Sequence, residues 1–167
     1  MRLAVFGETN RTKHYLVKRA LDAGYTVNVL GSPESEHRRG RKGLTSFVGE
    51  IDNTKSMDKV MKNADAAVCL LQGTQDDFDD KAEEIIRSLI SCMEANFVRR
   101  LVIFSYVKTQ TRQETPEHGG LLRSLLSTIV KPSGHSQTIV DLLKETDIDW
   151  TIVGHPPIAT SLASDIE

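Results

Sequence analysis

The sequence predicts a single α/β domain over residues 1–167, a doubly wound, mostly parallel sheet with strand order 3-2-1-4-5-6. Three observations predict it. Continuous apolar runs at residues 3–6, 27–30, 66–71 and 101–104 lack the alternation of a half-exposed strand, as expected where helices cover both faces of a parallel sheet. Helical patterns separate these runs, and strands alternating with helices imply right-handed crossovers. The first run ends in a tight turn at Gly7 that opens directly into a helix.

Taken in order, the first strand at 3–6 leads into a helix in which Tyr15, Leu16, Arg19, Ala20 and Ala23 favour one face. Gly24 is its expected left-handed C-cap. Residues 27–30 form the second strand and 45–48 a weaker third. The fourth, AAVCLL at 66–71, is apolar throughout. Asp80 and Glu83 have the spacing of a capping box before Ile85, Ile86, Leu89, Ile90 and Met93, and Asn96 is placed to close that helix. After the fifth strand at 101–104, Ile139, Leu142 and Leu143 mark a helix before a weaker sixth strand at 150–153. The polar stretches 109–120 and 37–42 read as surface loops.

A chain of 167 residues with 39% hydrophobic and 26% charged residues suits one globular core. Its net charge of −2 gives no bulk electrostatic reason for nucleic-acid binding. No apolar run approaches the roughly 20 residues of a membrane span, and the N-terminus enters a strand too early for a secretory signal. Cys69 and Cys92 read as buried thiols of a reducing compartment, so a cytoplasmic location is expected. The histidines and cysteines have no metal-ligand spacing, and no metal is expected.

Ligands of an open parallel sheet gather at the carboxyl ends of the strands, beside the point where strand order reverses. There Gly7 supplies a tight turn, Thr9 and Thr12 offer hydroxyls, and Asn10 tolerates a positive φ better than most residues. Such a unit rests a pyrophosphate on the free N–H groups of the helix start. The usual glycines would fall at Gly7, Asn10 and Lys13, and only the first is present. Arg11 and Lys13 bring positive charge that would offset a pyrophosphate. The same residues also suit a plain strand–turn–helix corner, and both readings stand open at this level.

The segments FGETNRT, AGYTVNVL, VGEI, NADAAVCLLQGT, VRRLVIFS and DIDWTIVGHPP, in that order, resemble the atypical short-chain dehydrogenase/reductases. The likeness is to the NmrA-like and NAD(P)H flavin reductase (biliverdin-IXβ reductase-like) group, over roughly residues 1–158. It implies a Rossmann-like, NAD(P)-binding fold that holds NADP or NAD, with a planar, flavin-like redox substrate stacked on the nicotinamide. Position by position, the resemblance puts Gly7, Thr9, Asn10, Arg11 and Thr12 around the pyrophosphate. Glu50 and Ile51 stand where the family has an Asp–Val pair beside the adenine. Leu71, Gly73 and Thr74 line the cofactor, and Pro157 and Ile158 fall near the nicotinamide end. Ser105 corresponds to the family's serine after the fifth strand.

Three positions depart from that pattern. Ser32 replaces the arginine that grips the 2′-phosphate, which implies weaker discrimination between NADP and NAD. Gly154-His155 replaces the arginine of the family's WTIxRP ending, and relatives usually continue past the position of Pro157 into another strand and helix. The basic cluster His37, Arg38, Arg39, Arg41 and Lys42 is either a solvated loop or the source of an arginine folded back onto the 2′-phosphate. Lacking interleaved aromatics, it is a poor nucleic-acid surface.

No Tyr-x-x-x-Lys pair exists: Arg19, Val29 and Gln110 lie four residues beyond the three tyrosines. A ketone reductase normally needs such a proton donor, whereas a flavin or linear tetrapyrrole reductase can take protons from solvent. Ser105 and His155 are the candidate catalytic residues, and loop 109–120 is expected to close the pocket. Two functions compete: an NAD(P)H-dependent reductase of flavin or a similar planar molecule, and a catalytically silent NmrA-like module that senses dinucleotide or binds a protein partner.

Overall fold

The computed structural model describes residues 1–7, 11–31, 41–71, 78–106 and 134–155. In chain order its elements are β1 (Arg2–Gly7), α1 (Arg11–Asp22), β2 (Thr26–Gly31), β3 (Leu44–Val48), α2 (Thr54–Met61) and β4 (Ala66–Leu71). There follow α3 (Phe78–Ala95), β5 (Arg100–Tyr106), α4 (Gly134–Lys144) and β6 (Asp149–His155). The strands form one sheet in the order β3-β2-β1-β4-β5-β6, every described pairing is parallel, and the predicted order is borne out.

The apolar runs are continuous because both faces of the sheet are buried. Leu3, Val5, Val27, Val68 and Leu70 pack against Val17 and Ala20 of α1. Ala4, Phe6, Leu30, Ala67, Cys69 and Leu71 turn to the other face, where α2, α3 and α4 bring Met57, Val60, Ile86, Leu89, Met93 and Leu143. All six residues of β4 are buried, which makes it the strand most enclosed by the fold. Asn28 is the polar exception in β2: its amide donates to the carbonyl oxygens of Val60 (2.9 Å) and Lys62 (3.4 Å), tying the sheet to the end of α2. No helix among the described residues is long and apolar enough to cross a membrane.

Local expectations are refined by the structure. The buried face of α1 is Lys13, Val17 and Ala20, while Tyr15, Arg19 and Ala23 face solvent. The face turns because the methylene stem of Lys13 is packed as an apolar side chain would be. Helix α2, which the apolar pattern alone does not predict, is announced by Asn53, whose side chain accepts from the backbone N–H of Lys55 (3.0 Å) and Ser56 (3.2 Å). Its buried Met57, Val60 and Met61 have helical spacing, and Gly49 admits it: a Cβ there would stand 2.6 Å from the Cβ of Ser56. Helix α3 starts at Phe78, so Asp80 lies inside the helix rather than at its cap, and Glu83 instead pairs with Arg87 at 2.8 Å. Asn96 does close α3, its amide donating to the Cys92 carbonyl at 2.9 Å, but the left-handed residue is Phe97 (φ 58°). Gly24 takes the left-handed conformation expected of it, with φ 83°.

Candidate dinucleotide site at the carboxyl edge of the sheet

The chain reverses its winding between β1 and β4, and β1 ends there in Gly7. Gly7 has φ +116°, and a Cβ on it would run into the Leu70 carbonyl oxygen and lie 2.9 Å from the Leu70 Cβ. Only glycine meets both conditions, the positive φ and the close approach of β4. Gly7 therefore brings no side chain to the mouth of the crevice. Helix α1 begins four residues later at Arg11, with Arg11 exposed and Thr12 half-buried, so its first N–H groups open on the same edge.

Lys13, at the third glycine position, does not reach outward as a free cation for a pyrophosphate. It is only 4% exposed. Its ammonium donates to the Gly7 carbonyl at 2.6 Å and to the Leu30 carbonyl, bridging the carboxyl ends of β1 and β2. A buried ammonium is tolerated only when its hydrogens are met by strong acceptors, and these two carbonyl oxygens meet two of the three. The third glycine of the usual turn lets helix and strand approach closely; here a lysine fills that space and bonds both strands. Lysine at a glycine position read as a loss, and the clue to its real place was the i, i+4, i+7 spacing of Lys13, Val17 and Ala20.

On the far side of the switch point, the register aligns Leu71 of β4 with Ser105 of β5, and Ser105 with Gly154 of β6. Ser105 is half-buried and His155 is the last residue of β6, paired with Tyr106. Both thus arrive at the same edge as Gly7. Leu71 is 2% exposed and turned into the core, so what it presents to the edge is backbone. Glu50 is exposed and Ile51 packs against the core in the loop after β3, also at this edge. Thr9, Asn10, Ser32, Gly73, Thr74, Pro157, Ile158 and loop 109–120 lie outside the described residues.

The basic cluster divides. Arg41 and Lys42 are exposed and precede β3. Since β3 runs parallel to β2, they stand at the amino edge, a strand length of roughly 13 Å from the carboxyl edge. Neither is placed to fold back onto a phosphate at the end of β2. His37, Arg38 and Arg39 lie outside the described residues.

Both thiols are buried. Burial pushes Cys69 up to about 12, against the lowering pull of the nearby Lys13 charge. Burial, then the negative charge of Asp58, pushes Cys92 up to about 11, while the Asn96 amide pulls the other way. Neither is a nucleophile near neutral pH. Among the described residues, no three His, Cys, Asp or Glu side chains group closely enough to hold a metal ion.

The site fits a dinucleotide where it is described. Gly7 leaves the pyrophosphate position clear, α1 begins at that edge with its N–H groups and an exposed Arg11, and the Lys13 charge lies at the base of the same corner. Comparisons with known proteins agree. An NAD(P)H-binding family matches residues 9–163. A Rossmann-fold NAD(P)-binding protein from Shigella flexneri superposes with TM-score 0.65 at 15% identity, covering 92% of this chain and 66% of that one. A short-chain dehydrogenase/reductase from Veillonella parvula in complex with NADP gives 0.63 at 13%, covering 90% and 67%. An anaerobillin reductase from Escherichia coli O157:H7 gives 0.62 at 13%, covering 91% and 71%. The chain spans about two thirds of the length of these proteins, and at such identities they establish the fold. The chain is a member of the NAD(P)H-binding family, built as a single Rossmann-like α/β domain whose cofactor is NADP or NAD.

Proposed function

We propose that this protein is an NAD(P)H-dependent reductase of flavin or a similarly planar, redox-active small molecule, in the manner of the flavin reductase and biliverdin-IXβ reductase group. The observation that carries this reading is the convergence of the Gly7 turn, the start of α1, Ser105 and the end of β6 on one carboxyl edge, in a chain of NAD(P)H-binding descent. A fold neighbour that is an anaerobillin reductase supports the reductase reading.

A bound nicotinamide supplies hydride. The chain's own work is positioning: the Gly7–Arg11 corner fixes the pyrophosphate, and Ser105 orients the carboxamide or the substrate from the end of β5. With no Tyr-x-x-x-Lys pair, the proton comes from solvent, and His155 at most assists.

A second reading is a catalytically silent, NmrA-like module that binds dinucleotide or a protein partner. What favours it is Lys13, which replaces the third glycine and is held by strand carbonyls rather than left for a ligand. The two separate in one experiment, in which NADPH oxidation is followed with FMN and with biliverdin as acceptors. A rate above the protein-free control supports the reductase. Saturable NADPH fluorescence without such a rate supports the silent dinucleotide-binding module, and no saturable signal with NADPH or NADH at millimolar concentration defeats both that module and the reductase.

A further inference from the structure

The corner of the sheet under the end of α2 holds polar side chains where the rest of that face is apolar. Parallel register puts Arg2, Asn28, Thr45 and Phe47 on the face that α2 covers. Ala4, two residues after Arg2 and part of that core, aligns with Asn28, and Asn28 aligns with Thr45. Helix α2 runs back across the face and ends at Met61, and the chain turns at Asn63 with φ 59°. Past its end an open groove of about 290 Å³ remains, lined by those four residues together with Lys59 and Lys62. A space of that size suits a small molecule.

Asn28 is 7% exposed, and its amide nitrogen is committed to the Val60 and Lys62 carbonyls. Those bonds satisfy carbonyls at the end of α2, which therefore do not face the groove bare. The amide oxygen accepts from no group among the described residues, and it is not sealed from the groove. An acceptor left open on so buried a side chain calls for a donor from outside. Around it stand the cations of Arg2, Lys59 and Lys62, none of which enters an ion pair among the described residues. The Asp65 carboxylate beside them is engaged by the backbone N–H of Arg2. Lysines at a helix end also balance its dipole, but that role asks nothing of Arg2 or of the Asn28 oxygen.

Three cations select an anion, yet an amide oxygen and an ionised phosphate both only accept. The ligand must therefore carry a hydroxyl beside its anionic group. We propose that this groove binds a small sugar phosphate. Arg2, Lys59 and Lys62 hold the phosphate, the Asn28 oxygen and the Thr45 hydroxyl take sugar hydroxyls, and Phe47 supplies an apolar wall for the carbon skeleton. Arg2 and Gly7 are the first and last residues of β1, so the site stands at the far end of the strands from the dinucleotide corner and is independent of it.

Calorimetric titration of the 167-residue chain with ribose 5-phosphate, inorganic phosphate and ribose tests it, with NADP⁺ titrated separately. Ribose 5-phosphate should saturate at about millimolar concentration, with phosphate and ribose each about tenfold weaker or silent. The double variant Lys59→Gln with Lys62→Gln, checked for a native circular dichroism spectrum, should lose about tenfold in ribose 5-phosphate affinity and keep its NADP⁺ affinity. Thr45→Val should weaken ribose 5-phosphate about threefold and leave inorganic phosphate unchanged. No saturable heat with ribose 5-phosphate, or equal affinity for inorganic phosphate, overturns the assignment and leaves the dinucleotide reading intact. So does an undiminished affinity in the folded double variant, which would place the sugar phosphate elsewhere on the protein. Loss of the NADP⁺ signal in wild type, with ribose 5-phosphate still bound, would defeat the dinucleotide reading alone. If the double variant does not fold, Arg2→Gln is read in the same way.

Discussion

The two edges of the sheet are built from different interactions. At the amino edge, charged side chains meet partners in water: Arg100 pairs with Asp149 at 2.7 Å and reaches the Thr151 hydroxyl at 2.9 Å, and the Asp65 carboxylate accepts from the backbone N–H of Arg2 at 2.6 Å. Short turns knit the strands there through backbone bonds, Asp65 N–H to Arg2 carbonyl (2.8 Å) and Asp149 N–H to Arg99 carbonyl (2.7 Å). At the carboxyl edge the corresponding features are a glycine with no room for a side chain and a buried lysine held by strand carbonyls. Opposed charges at an exposed edge contribute little and are replaceable. A buried cation and a sterically obligatory glycine are neither. Substitutions at the carboxyl edge should therefore affect stability and cofactor binding together, while those of the amino edge's paired charges should affect stability alone and weakly.

Gly7→Val is the severest test. It forces a β-branched residue into φ +116° and drives its Cβ into Leu70 of the neighbouring strand. We expect a loss of about 3 kcal/mol or more in urea unfolding, with NADP⁺ binding abolished. A variant of native stability that still binds would remove Gly7 from both roles and with it half of the contrast between the edges.

Lys13→Met comes next. It keeps the packed stem and removes the donor, leaving the Gly7 and Leu30 carbonyls without that partner, at a cost of about 1–3 kcal/mol. The same unfolding measurement reads it. A change below about 0.5 kcal/mol would mean that the two carbonyls are satisfied otherwise and that the ammonium has no structural share in the corner.

Ser105→Ala and His155→Ala probe the far side of that edge under the reductase reading. Each should lower turnover with FMN by about tenfold or less, roughly 1.4 kcal/mol of barrier, since neither is asked to supply an indispensable proton. Total loss of turnover in either variant, with NADP⁺ affinity intact, would identify a dedicated proton donor and revise the chemistry.

Much of this was legible in the residues. The sheet order and the strands followed from apolar runs that only a doubly covered parallel sheet explains, and Gly7 was found because a strand–turn–helix corner demands it. What hid from the sequence shares one cause, side chains whose behaviour depends on a neighbour far along the chain. Lys13 counts as polar by type, yet it shares the buried face of α1 with Val17 and Ala20, and its ammonium answers carbonyls of β1 and β2. Asp80 looked like a cap because its spacing to Glu83 was right, but the helix begins at Phe78. Helix α2 is short and bracketed by lysines, and only the tertiary placement of Met57, Val60 and Met61 makes its face plain. Arg41 and Lys42 were read with the loop after β2, while parallel pairing carries them to the opposite edge.

The smallest expected effect belongs to the amino edge. Arg100→Ala removes an ion pair whose side chains are 42% and 74% exposed, together with a bond to the Thr151 hydroxyl. Such pairs offset most of their attraction by ordering two flexible chains in a high dielectric, so the loss should lie between about 0 and 1 kcal/mol and shrink with added salt. Cofactor affinity should not move, because β5 and β6 separate this pair from Ser105 and His155 by the length of the strands. Salt series of urea unfolding with and without NADP⁺ would measure both quantities. A clear drop in NADP⁺ affinity would mean that the two edges are coupled through the parallel strands, and that the sheet transmits strain from the end that holds the fold to the end that holds the ligand.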